Sequence, residues 1–387
     1  MSVKICSIGV VSAIGIGVEQ NLCSLLSQRC GIGSNTLFET SIGMPVAQIP
    51  LKNKELAQLL GINEVKHSRT ALLGAIAARE AMKTVSIAEE KRVGLINSTS
   101  VGGMDLSEEF YRDFINNSSS GRLRNIVGHD TASSTDFIAQ MCGIDGFRTT
   151  ISTACSSSAN AVIMGAMMLE RGLLDYVLVG GTDSLCRFTL CGFNSLMILD
   201  SELCRPFDQS RTGLNLGEGA GFLLLTKDID ADAICTLSGY ANANDAHHQT
   251  ASSVEGQGAF LAMVNALKSA GLNAECIDYI NLHGTGTVNN DSSETAAIKR
   301  IFKDIPRCSS TKSYTGHTLA AAGALEAIYS VFAITNNCCF SNLRFSSPID
   351  NGIIPIKQIE KNIEIKHVLS NSFGFGGNCS TLIFSKL

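Results

Sequence analysis

The sequence predicts an α/β protein of two similar halves, each a mixed five-stranded sheet layered with helices. Three observations predict this. At 387 residues the chain exceeds what one hydrophobic core usually organises. Apolar, β-branched runs alternate with segments of helical period, and the order restarts at Ile234. Finally, Thr153-Ala154-Cys155 and Thr315-Gly316-His317 each end a polar turn before an Ala/Gly/Ser-rich helix, a weak internal repeat. Halves at 1–233 and 234–387, packed with these helices between their sheets, would bring both helix N-termini to a common centre.

In chain order, Val3 to Ile8 reads as a first strand, followed by a glycine-containing loop and a helix from Glu19 to Ser27. The apolar start lacks the distinct n-region and cleavage site of a signal peptide. Thr36 to Asn53 is loop or short strand. Ser68 to Met82 carries apolar residues at helical spacing, with Ser68 placed as N-cap. Arg92 to Ser98 is a buried strand ending at Gly102-Gly103, Asp105 to Ile115 a helix, and Asn116 to Arg124 an exposed polar loop. Buried-type elements resume at Ser134 to Met141 and Arg148 to Ile151. The Cys155 turn and the helix Ser156 to Gly172 follow, then strands Asp175 to Gly181 and Gly219 to Thr226.

The second half repeats the alternation. Ile234 to Tyr240 is a strand, Gly256 to Ala270 a helix, Asp278 to Leu282 a strand ending at His283, and Ser292 to Phe302 a helix. Cys308 to Thr311 is a short strand, Leu319 to Ile334 the small-residue helix after His317, and Lys366 to Asn371 and Ser380 to Ser385 flank a glycine turn.

Composition bounds the function. With 45% hydrophobic and 17% charged residues, and 36 glycines against six prolines, the chain suits a large packed core rather than disorder. A net charge of −5 argues against general nucleic-acid binding. The 14 cysteines include no C-x-x-C pair, so they read as free thiols of a reducing cytoplasm rather than a zinc ribbon or disulfide scaffold. No apolar run reaches the ~20 residues of a membrane span.

Chemistry concentrates at three turns. Cys155, at a strand-to-helix turn, would gain from the helix N-terminus, whose roughly half a positive charge and free N–H groups stabilise a thiolate. Its own N–H fits an oxyanion hole; the same residues also fit a small buried thiol. His283 ends a strand in Asn281-Leu282-His283-Gly284-Thr285-Gly286-Thr287, where either function or a histidine satisfied by its own turn is consistent. His317 precedes a helix that disfavours its cation, so it should be neutral and donate one N–H. The Ser156–Ser158 run lacks a G-x-S-x-G elbow. The turn Asn371 to Asn378 lacks a P-loop lysine, and its phenylalanines fit either a gate or packed aromatics.

Together these residues closely resemble the elongating β-ketoacyl-acyl-carrier-protein synthases. The likeness is carried by T-A-C-S-S-S-A at Cys155, R-P-F-D-x-x-R-x-G with G-E-G-A-G between Arg205 and Gly221, H-G-T-G-T at His283, T-K-S-x-T-G-H-T at His317 and N-S-F-G-F-G-G at Asn371 to Gly377. The resemblance implies a thiolase-like fold, two βαβαβαββ halves in five layers (α-β-α-β-α). It implies Cys155 as nucleophile, His283 and His317 as donors to an enolate, and the N–H groups of Cys155 and Phe375 as oxyanion hole. Lys312 would organise the site, with Glu326, Thr285 and Thr287 in support, Phe373 and Phe375 as gates, and Met104 at the acyl pocket. The implied reaction is decarboxylative condensation of malonyl carrier protein with a Cys-bound acyl group. No cofactor or metal is expected, the carrier's phosphopantetheine arm being part of the substrate.

Acyl carrier protein is the expected partner, contacted at Lys66, Arg69 and Arg124, in a homodimer or a heterodimer with a chain-length factor. A histidine in third place separates the chain from thiolases and initiating synthases, and Cys155 separates it from chain-length factors, which lack the cysteine. A non-catalytic partner subunit and a thiolase-like coenzyme A enzyme are the alternatives. Where the family commonly reads G-G-T-N, this chain has Gly376-Gly377-Asn378-Cys379. The I-S-T-A-C-S-S-S-A wording resembles synthases of aryl-polyene pigment clusters.

Overall fold

The first strand, β1 (Val3–Ser12), continues past the loop expected after Ile8. Gly9 permits this, because a Cβ there would stand 2.0 Å from the Ala77 carbonyl of the helix lying across the strand. This computed structural model describes residues 2–387. The remaining principal strands are β2 (Val93–Ser98), β3 (Arg148–Ile151), β4 (Tyr176–Asp183), β5 (Gly219–Thr226), β6 (Cys235–Asn244), β7 (Tyr279–Asn281), β8 (Arg307–Ser309), β9 (His367–Gly374) and β10 (Asn378–Ser385).

Hydrogen bonding links them in the order β8-β7-β9-β10-β6-β1-β5-β4-β2-β3. Read outward from the middle, the halves are alike. Antiparallel β1/β5 and β5/β4 followed by parallel β4/β2 and β2/β3 are matched by antiparallel β6/β10 and β10/β9 and parallel β9/β7 and β7/β8. The weak sequence repeat is therefore a repeat of topology. The two sheets join edge to edge where Val3, Lys4 and Ile5 pair with Leu237, Thr236 and Cys235.

Helices complete five layers. α1 (Arg69–Lys83) covers β1, β5 and β4, with Ser68 capping it by accepting the Ala71 N–H, and α2 (Thr131–Cys142) flanks it over β2 and β3. α4 (Gln257–Ala270) covers β6 and β10, beside α5 (Val288–Ile301). Between the sheets lie α3 (Ser157–Glu170) and α6 (Ala322–Asn336), which touch each other and strands of both halves. Small residues allow that approach: Gly323 passes so close to Ala159 that a Cβ would meet its nitrogen at 3.0 Å. Every residue of α6 from Ala322 to Ile334 is buried. Burial of Leu325, Ile328, Val331 and Phe332 contributes about 1.5–3 kcal/mol each.

Leu319–Asn336 is the one stretch among the described residues long and apolar enough to cross a membrane, and 89% of it is buried inside the fold. The helices Asn53–Leu59 and Arg187–Ser195 are not among the expected elements. α5 also begins earlier than expected, at Val288.

Candidate active site

Cys155 sits where β3 turns into α3. Ala154 immediately before it has φ +54°, a strained value for a residue with a Cβ. The turn is held by Ser157, whose hydroxyl accepts the Thr153 N–H at 2.8 Å and donates to the Ala154 carbonyl. The strain thus fixes the Cys155 side chain ahead of the helix, within the common centre of the two halves.

His283 and His317 come to the same centre from the other half. Their rings lie 5.6 Å apart, edge to face at 87°, and both are buried. The Leu319 N–H donates to Nδ1 of His317 at 3.2 Å, leaving Nε2 to carry the proton. Lys312 Nζ lies 3.2 Å from Nδ1 of His283 and 2.6 Å from the His283 carbonyl oxygen. Its third partner is Glu326, the one carboxylate in the apolar helix α6. A buried ammonium has only protons to offer, so His283 must also accept at Nδ1 and donate from Nε2.

Burial, the Lys312 charge and His317 hold His283 well below the usual imidazole range. Burial and Lys312 do the same for His317. Both rings are neutral single donors, as expected for His317, with burial rather than the helix as the leading cause. Burial pushes Glu326 up to about 7 against the pull of Lys312.

The cysteine and both histidines line one cavity of about 370 Å³, with Thr285, Thr287, Phe373 and Phe375. The Thr285 and Thr287 hydroxyls stand 2.8 Å apart. Phe373 packs 5.5 Å from His283, and Phe375 stacks 5.9 Å from Phe193 on the unexpected helix Arg187–Ser195. Between the phenylalanines, a Cβ on Gly374 would stand 2.8 Å from the Thr153 carbonyl and 3.2 Å from the Cys155 nitrogen. That close passage brings the Phe375 N–H near the sulfur, where it and the N–H of Cys155 both pull the thiol's pKa down. A larger cleft of about 1240 Å³ lies elsewhere, between residues 33–55 and the helix Met104–Asn116.

Three expectations need correction. Cys155 is not a stabilised thiolate: it precedes the N-cap Ser156, and burial pushes its thiol up to about 11, only partly opposed by Lys312 and the two N–H groups. Arg69 is no carrier-protein contact. It is 4% exposed, paired with buried Glu218 at 2.6 Å, and donates to the Ile49 and Leu51 carbonyls. Met104 lies off the cavity wall, packed with the cluster containing Leu214, which does line it. Lys66 and Arg124 are about half exposed and share Glu64, at 2.6 and 3.8 Å.

Sequence reasoning missed two buried carboxylates around the site. Glu294 on α5 accepts the N–H groups of His283 and Gly284, both at 2.9 Å. Asp183, at the end of β4, accepts the N–H groups of Val101 and, from the other half, Ala320. Glu294 sits in a polar run that looks like a solvent-facing helix start. Asp183 follows a Gly-Gly-Thr run at a buried strand end, the one available hint of a buried acid.

The chain matches one family of known proteins over most of its length. The Beta-ketoacyl synthase N-terminal domain matches residues 1–231 and the Beta-ketoacyl synthase C-terminal domain residues 234–346. The Nodulation protein E of Rhizobium meliloti is 32% identical over 92% of this chain and 97% of its own. The 3-oxoacyl-[acyl-carrier-protein] synthase 2 of Staphylococcus aureus (strain COL) is 29% identical over 99% of this chain and 98% of its own. Among solved structures, the ishigamide ketosynthase/chain length factor superposes with a TM-score of 0.94 at 27% identity, covering 100% of this chain and 99% of that one. The ketosynthase ApeO in complex with its chain length factor ApeC, from Xenorhabdus doucetiae, gives 0.85 at 31%, covering 100% and 98%.

Proposed function

This chain belongs to the β-ketoacyl synthase family and is a condensing acyltransferase, and we propose that Cys155, His283 and His317 carry its chemistry on carrier-bound substrates. The observation that carries the assignment is that one cavity joins a buried thiol and two neutral imidazoles whose Nδ1 atoms are both occupied, with the Phe375 backbone passing beside the sulfur.

The Cys155 sulfur attacks an acyl thioester, and the tetrahedral oxyanion sits against the N–H groups of Cys155 and Phe375. Collapse breaks the bond to the carrier's sulfur, and the Cys155 proton leaves with the carrier thiol. Malonyl carrier protein then takes its place. Its C–C bond to the carboxylate breaks, CO₂ departs, and the electron pair forms an enolate whose oxygen accepts hydrogen bonds from the Nε2–H groups of His283 and His317. The enolate carbon attacks the acyl-Cys155 carbonyl; expulsion of the thiolate yields a 3-oxoacyl product two carbons longer.

Lys312 and Glu326 act behind the histidines by fixing the His283 tautomer. Thr285 and Thr287, on the cavity wall, support the phosphopantetheine arm, which belongs to the substrate, so the reaction draws on no resident cofactor. Phe373 and Phe375 gate the cavity.

Acyl carrier protein is the partner, met at Lys66 and Arg124, and the setting is the cytoplasm. A solved relative is a ketosynthase paired with a chain length factor. With its cysteine in place, this chain is the catalytic member of such a pair or of a homodimer. Incubating the purified chain with carrier-bound primers and malonyl carrier protein, then reading carrier-bound products by mass, tests the reading. Products two carbons longer support it. If products appear only when a second synthase is added, this chain is a non-catalytic subunit.

A further inference from the structure

We propose that Asn378 is a positioning residue for the oxyanion turn: its side-chain oxygen ties the start of β10, and with it the Phe375 N–H, to the helix that begins behind Cys155. The inference rests on the role given above to that N–H and identifies what holds it in place.

The turn Phe375–Gly377 is a single distorted helical turn with Gly376 at φ +82° and Gly377 at +79°. Such a backbone has no ladder of its own, so outside contacts must set the Phe375 N–H. On the outer side, Gly376 N–H donates to the Gln249 carbonyl at 2.7 Å, and the Gly377 carbonyl accepts the Asp245 N–H at 2.8 Å. On the side facing Cys155, the hydrogen bonds converge on Asn378 Oδ1.

That oxygen receives the side-chain N–H groups of Asn160 and Asn242, each at 2.8 Å, and lies 2.7 Å from the Ser156 hydroxyl. Ser156 follows Cys155 directly and shares its one proton with the Thr153 carbonyl, 2.8 Å away. Asn160 stands on α3 and also donates to the Thr153 hydroxyl at 2.8 Å. Asn160 Oδ1 in turn accepts from Ser380 on β10 at 2.8 Å. Ser156 and Asn160, both following Cys155, are thereby bonded to Asn378 and Ser380 on one short segment of β10, and Thr153 before the cysteine is tied in through those two residues.

The arrangement asks Asn378 only to accept. An aspartate preserves the acceptor, whereas an alanine leaves the donors of Asn160 and Asn242 without it and frees the turn from the cysteine. An oxyanion donor must sit within a few tenths of an ångström of its place, so a loosened turn weakens oxyanion binding in acyl transfer. Decarboxylation draws on the histidines of the other half and is spared. This gives structural content to the unusual Gly377-Asn378-Cys379 sequence.

The test measures two rates on the full-length chain. One is acyl transfer from acyl carrier protein to Cys155, read by intact mass. The other is CO₂ release from malonyl carrier protein after Cys155 has been alkylated with iodoacetamide. Asn378→Ala should slow acyl transfer roughly 10- to 100-fold, mainly in the maximal rate, and leave CO₂ release within about twofold. Asn378→Asp should restore acyl transfer to within about threefold of the unmodified chain. Equal slowing of both rates, unchanged acyl transfer in Asn378→Ala, or failure of Asn378→Asp to recover would overturn the proposal.

If Asn378→Ala does not fold, Asn242→Ala removes one donor from an exposed side chain. It should show the same split in smaller measure, and unchanged acyl transfer there overturns the proposal. An unmodified chain that never acylates sinks the proposed reaction itself, an outcome distinct from an active chain indifferent to Asn378.

Discussion

Lys312 holds His283 twice, by its ring and by its main chain: the ammonium stands 3.2 Å from Nδ1 and 2.6 Å from the carbonyl oxygen of the same residue. With Glu326 as third partner, the ammonium's protons are all engaged. The lysine therefore fixes which nitrogen of His283 faces the cavity.

The two half-reactions should separate by mutation. His283→Ala and His317→Ala are expected to keep acyl transfer to Cys155 while lowering malonyl decarboxylation by ~10²–10⁴-fold. Intact mass and CO₂ release read the two steps. A histidine variant that loses acyl transfer as severely as decarboxylation would show that the rings serve the thiol instead.

The raised Cys155 thiol predicts a pH dependence. With the thiol pushed up to about 11, only the small thiolate fraction reacts with iodoacetamide near neutrality. The alkylation rate should climb through pH 10 without a plateau. In Lys312→Ala, which removes the main charge opposing the rise, it should be slower at every pH. A plateau near pH 8 in the unmodified chain would mean that the thiolate is better stabilised than this geometry allows.

The buried Arg69–Glu218 pair predicts a stability effect with no catalytic meaning. Arg69→Ala leaves Glu218 buried without its cation and should cost about 3–5 kcal/mol in denaturant unfolding. Replacing both partners with Met and Leu should cost less than the single change. A negligible loss in Arg69→Ala would contradict the burial of this pair.

Lys66 and Arg124 straddle Glu64 at the surface. Reversing both to Glu should weaken binding of acidic carrier protein, and the loss should shrink as salt rises from low to physiological strength, because exposed charges are screened. Binding that ignores both the substitutions and the salt removes this patch from the docking surface.

Much of the fold was legible because its signals are local. The β-branched run of β4 and the Ser68 cap before α1 each declare themselves within a few residues. The repeat was visible only as two polar turns before small-residue helices, yet the halves it pointed to share a matched strand order. What stayed hidden depends on distant partners. Arg69 reads as a surface cation until Glu218, far along the chain, is folded against it. The helix Arg187–Ser195 is short and carries Gly192 inside it, and its Phe193 gains meaning only from stacking on Phe375. In the site, the motifs pointed to the thiol and imidazoles that share the cavity but not to Glu294, Asp183 or Asn378, whose place depends on which backbone groups and side chains they hold. Nor could a helix-start argument weigh the full burial that keeps Cys155 a thiol.

The most direct test of the account is the mass of Cys155 itself. Purified chain mixed with acyl carrier protein should gain one acyl mass on the peptide carrying Cys155. Adding malonyl carrier protein should erase that adduct as a 3-oxoacyl carrier product two carbons longer appears, and Cys155→Ala should give neither. Condensation by Cys155→Ala, or an adduct that malonyl carrier protein never discharges, would contradict it.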